Sequence, residues 1–239
     1  MAFLDLLKQL LQVNESPDSP GSLAARRGLE LREILSDDPN DIDAFGELAE
    51  IVHSAGSSGE VEDPLTADEG ATGSYDRAAL ALWSLAEELS ARPNAWYPLI
   101  ELARLSVDSD LDGAVRRLTT AVQRDDSGQA LAEAIKVLRQ AGHPNEAFSL
   151  GMGYWDPKGQ KFKAGEQLVL AQLDAGRPDL ADDHLAMLTH QAKDKHASRL
   201  AALREQLERA KDDEEERMRE REEQHREAEA GRLATEEEQ

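Results

Sequence analysis

One spacing constrains the fold of this chain more than any other feature. The segment LRQAGHPNEAFSL matches LDAGRPDLADDHL so that Gly142 pairs with Gly176, Pro144 with Pro178 and Ala147 with Ala181, each pair 34 residues apart. Ala114 stands 33 residues before Ala147, and Ala79 stands 35 before Ala114, so four units in a row keep nearly one interval. A period in this range belongs to chains built from helix-turn-helix units, since one such unit cannot bury its apolar face alone and must stack on the next. Glycine tolerates the dihedrals of the turn, and alanine at a crossing lets two helix axes approach.

Apolar residues recurring at helical spacing predict the helices themselves. They run over 23–35, 41–52, 75–90, 95–107, 113–124, 128–141, 145–152, 162–175 and 179–191, joined mostly by short links that require antiparallel neighbours. Aromatics are only 4% of the chain and Ala and Leu dominate the apolar set, a composition suited to close helix packing and not to sheets. Residues 1–21 read as an N-terminal amphipathic helix, over 2–13, and a linker. Residues 22–193 read as the repeat domain, interrupted by an acidic Gly/Ser loop at 56–73 expected to be a mobile surface loop. Leu200, Leu203, Leu207 and Ala210 predict a capping helix over 194–210. Residues 211–239, with thirteen acidic and six basic side chains, are expected to form an acidic charged tail, a frayed helix or disordered.

In AWYPLIELARLSV a large residue, Trp96, precedes the pair Leu99 and Ile100, with Ala103 one turn later. The next unit offers Leu131, Ala134, Ile135, Leu138, turn Gly142 and crossing Ala147. Over roughly residues 22–192 this pattern resembles the tetratricopeptide repeat family. The resemblance implies an all-α fold: a right-handed α-solenoid of stacked helical hairpins whose concave groove holds a protein segment. Departures from the family pattern are the long turn SVDSDLDG, Gly151 where a bulky residue is usual, and the loop at 56–73; an irregular helical bundle is the competing reading. Carried over by register, the groove positions are Asn94, Tyr97, Glu101 and Arg104, then Gln129, Lys136, Arg139 and Gln140, then Lys163 and Glu166. Four are basic in a chain of formal charge -22, which points to an acidic peptide partner with Tyr97 as its aromatic anchor. The family's Lys and Asn clamp for a terminal carboxylate has no match. The acidic tail, tethered to its own groove, is expected to compete with such a partner.

The charge opposes nucleic-acid binding, and the lack of cysteine removes disulfides, thiolate metal sites and cysteine nucleophiles. Asp108 to Gly113 imitate the first half of a calcium loop, but its twelfth position, where a bidentate Glu is needed, is Thr119; the expectation is a polar turn with Asp112 capping the next helix. His184, His190 and His196 are spaced by six, which on one helix turns each about 240° from the last, away from a common metal. Hydrolase, phosphate-loop and dinucleotide motifs are absent from the sequence. The chain therefore reads as a non-enzymatic scaffold or adaptor with no cofactor, a protein or peptide partner and a cytoplasmic location, without a secretory leader or integral membrane segment. The alternative is an assembly or membrane-peripheral protein acting through its N-terminal helix.

Overall fold

The computed structural model of the chain describes residues 20–57 and 67–237, with side chains at 23–55, 77–192 and 195–226. The helix expected at 2–13 lies outside them. Every regular element among the described residues is helical: α1 (Pro20–Asp37), α2 (Ile42–Ser57), α3 (Ala67–Ser90), α4 (Tyr97–Ser106), α5 (Leu111–Gln123), α6 (Gln129–Gln140), α7 (Pro144–Tyr154), α8 (Phe162–Asp174), α9 (Pro178–Ala192), a 3₁₀ turn (Lys193–His196) and α10 (Ala197–Glu237). The chain divides into two compact units, Met1–Val137 and Leu138–Gln239.

In the first unit α1 to α5 pack each on its successor in chain order, the packing expected of a helical repeat. Leu31, Leu35, Phe45, Leu48, Leu85, Ile100 and Leu118 are the large side chains at its centre, each almost wholly removed from solvent and each contributing about 1.5–3 kcal/mol by burial. The crossing alanine Ala114 is fully buried. On α3 the fully buried alanine is Ala78, and Ala79 is partly exposed, which corrects the register read from the sequence by one residue. The region expected as a loop from 56 to 73 is also shorter. Helix persists to Ser57 and resumes at Ala67, because a nucleated helix extends at little cost per residue even through a weak sequence; residues 58–66 lie outside the described set.

The second unit repeats one joint twice. At the end of α6, Gly142 (φ 78°) donates its N–H to Arg139 O at 3.1 Å and His143 donates to Leu138 O at 2.8 Å. At the end of α8, Gly176 (φ 66°) donates to Leu173 O at 3.0 Å and Arg177 to Gln172 O at 2.9 Å. Both are Schellman closures, in which a left-handed glycine lets two orphan carbonyls be satisfied. Pro144 and Pro178 then open α7 and α9, where a missing N–H costs nothing. Ala147 and Ala181, both fully buried, donate back to His143 O and Arg177 O, each at 3.1 Å. The equivalence at an interval of 34 extends from sequence to hydrogen bonds.

Val169, Ala181, Leu185 and Leu188 form one core with Leu200, Leu203 and Leu207 of α10. Trp155 packs at its edge over Gly165, where a Cβ would come within 2.9 Å of the indole Cζ2. From Asp212 to Arg226 α10 is almost entirely exposed, yet the helix continues unbroken to Glu237. Of the forms expected for the tail, helix is the one described, through Glu237. Glu–Arg pairs one turn apart, such as Glu215 with Arg219 at 3.0 Å, add about 0.2–0.5 kcal/mol each to a helix already nucleated on the leucine core. No helix among the described residues is long and apolar enough to cross a membrane.

Candidate functional site

The ten groove positions do not share one environment. On α4, Tyr97 is buried: its ring meets Phe45 and Trp96 edge-on, at 5.6 Å from each. Burial first, and then the adjacent Glu101 carboxylate, push its phenol far above the usual range, so it holds the core and is not an exposed aromatic anchor. Glu101 and Arg104 pair with each other at 3.3 Å. Asn94 is exposed, with its carbonyl accepting from Asn40 Nδ2 at 2.9 Å. On α6, Gln129 and Lys136 are half-buried and Gln140 exposed. Arg139 donates to Asp174 Oδ2 at 2.6 Å and to Gln167 Oε1 at 2.9 Å. On α8, Lys163 is half-buried, whereas Glu166 is only 7% exposed and lies 2.8 Å from Arg199 Nη2 of α10. Tyr97 and Glu166 are thus structural. The helical period placed them on the right elements, but which face meets the neighbouring helix is decided by tertiary packing that the period does not contain.

Three polar devices escaped the sequence reading. Trp96, at the N-cap of α4, makes no side-chain cap of its own. Asn40, in the α1–α2 link, supplies one instead, its Oδ1 accepting from Trp96 N at 2.8 Å and Tyr97 N at 3.0 Å. Arg124 Nη1 donates to the carbonyls of Ser90, Arg92 and Ala95 at 2.8–3.1 Å, closing the α3–α4 link. At α5 the capping acid is Asp110, whose Oδ1 accepts from Gly113 N at 2.9 Å, in place of the expected Asp112. The helix starts two residues earlier than its sequence pattern suggested, so the acid one step outside it takes the cap. Among the described residues no three His, Cys, Asp or Glu side chains gather to hold a metal.

The second unit carries an open cleft of about 610 Å³ between the α7–α8 link and the end of α9. Its floor is Phe162 and Leu188, and Lys158, Lys195, His190 and His196 stand around it. The His196 ring stacks on Phe162 with centroids 4.0 Å apart and planes 17° from parallel. The six-residue spacing had argued that these histidines diverge. The 3₁₀ turn at Lys193–His196 breaks the helical phase, so His190 and His196 come to one opening. Asp156, next to the cleft, turns its Oδ1 back to accept from Lys158 N at 2.9 Å.

Below the cleft, His184 Nδ1 lies 2.8 Å from Leu180 O and 3.0 Å from the Gln172 amide. A carbonyl only accepts, so Nδ1 carries the proton.

No family model, no curated protein and no solved structure matches the chain.

Proposed function

We propose that this chain is a non-enzymatic adaptor of tetratricopeptide-like architecture, its hairpins stacked as a right-handed solenoid that holds a segment of a partner protein in the cytoplasm. The observation that carries the reading is the pair of joints at Gly142 and Gly176, which repeat one hydrogen-bond pattern 34 residues apart. Units joined this way present successive helices to the same side, and extended binding surfaces are the common use of such arrays. With Tyr97 assigned to packing, Lys136 on α6 is the groove cation of the first unit, and its role is to attract an acidic segment. The test is fluorescence anisotropy of the full chain against labelled peptides of graded charge. The expected result is saturable binding that favours acidic peptides and weakens about tenfold in a Lys136→Glu variant with an unchanged dichroism spectrum. Absence of saturable binding to every peptide would overturn the reading.

A further inference from the structure

We propose that the cleft over Phe162 is a second, separate docking point, and that it takes an acidic protein segment carrying an apolar side chain next to its carboxylates. The inference rests on the adaptor reading and names a surface that the groove positions do not include. Among its described lining residues two lysines supply charge, His and Gln supply further hydrogen-bonding groups, and none is acidic. That is notable in a chain with 49 acidic residues against 27 basic. At physiological salt the Debye length is about 8 Å, so carboxylates farther off are screened; the nearby Asp156 carboxylate is turned to the Lys158 backbone N–H.

The floor and the rim ask for different chemistry. Half-buried Phe162, with Pro157 and Ala192 beside it and the buried Leu188 beneath, offers an apolar base suited to an aliphatic side chain, and the ammonium groups of Lys158 and Lys195 reach carboxylates beside it. The imidazoles of His190 and His196 add ring N–H donors. Arg199, 5.7 Å above the Phe162 ring and paired with Glu166, braces the floor from the α10 side, so the base is held before any ligand arrives. Lys158 and Lys195 are exposed, which lets their charge be reversed without disturbing the fold.

The experiment uses the full chain and a fluorescein-labelled peptide of alternating Leu, Asp and Glu, with its Lys-substituted counterpart as control. Anisotropy should show saturable binding of the acidic peptide only, at least about tenfold weaker in a Lys158→Glu, Lys195→Glu variant. In that variant the thermal midpoint should be unchanged, and Lys163→Glu should not reproduce the effect. If the acidic peptide binds equally well to the double variant and is lost in Lys136→Glu, the cleft proposal falls and the groove reading stands. If no peptide binds, both fall. If the peptide does not bind but sedimentation shows self-association that the double variant abolishes, the occupant is a second copy and the proposal is overturned.

Discussion

Asn40 links two points 54 to 57 residues apart through three hydrogen bonds, one given to Asn94 O and two taken from the first N–H groups of α4. An Asn40→Ala variant should lose about 1–2 kcal/mol in a denaturant titration, the cost of an N-cap. Asn40→Asp should keep most of that, because its carboxylate still accepts at the helix N-terminus. Tyr97 makes a prediction about pH. Its phenol titrates higher folded than unfolded because it is buried beside Glu101. The unfolded chain therefore gives up this proton first as pH rises. Stability from Tyr97 is complete below about pH 10 and is progressively lost above it. Unfolding free energies measured between about pH 9 and 11 should fall more steeply for the native sequence than for Tyr97→Phe; identical slopes would mean the hydroxyl is not sequestered.

At the scale of elements, the two glycine joints should behave as copies. Gly142→Ala and Gly176→Ala each place a side chain at positive φ, and each should cost about 1 kcal/mol by chemical denaturation. Clearly unequal costs would break the equivalence. The exposed part of α10 predicts the opposite kind of result. Truncation after Lys211 should lower helical ellipticity while leaving the unfolding free energy of the rest within about 0.5 kcal/mol, since Asp212 to Arg226 pack on nothing described. These elements also mark where sequence reasoning worked and where it stopped. Apolar spacing found the helices of both units because burial imposes its period on each of them separately. The Gly142 and Gly176 turns were visible because a left-handed residue demands one amino acid. The Asn40 cap left no local trace, since its partners lie half a hundred residues away. The six-residue spacing spoke against a shared metal for the histidines but left unseen that His190 and His196 line one opening, because a single 3₁₀ turn resets the angle between them. For the tail, the run of Glu and Arg was compatible with helix but the absence of an apolar stripe left its order open, because pairs one turn apart favour helix only weakly without packing.

Over the whole molecule, charge is the dominant long-range force. A formal charge of -22 repels itself in any compact state, and most of the ion pairs are exposed and individually worth about 0–1 kcal/mol. Screening should therefore relieve more repulsion than it removes attraction, and the thermal midpoint should rise as sodium chloride is raised from low to physiological concentration. A midpoint that falls would mean the surface pairs matter more than the net field. The same helix that spreads this charge has a mechanical side. Beyond Lys211, α10 extends 26 residues to Glu237, about 39 Å at 1.5 Å per residue, and its base is clamped by Leu200, Leu203 and Leu207. It is a lever with a three-leucine fulcrum. A tilt of about 10° at the clamp would carry the tip roughly 7 Å over such a length, so repacking at Leu203 or Leu207 would be felt at the far end as displacement, with the helix itself intact.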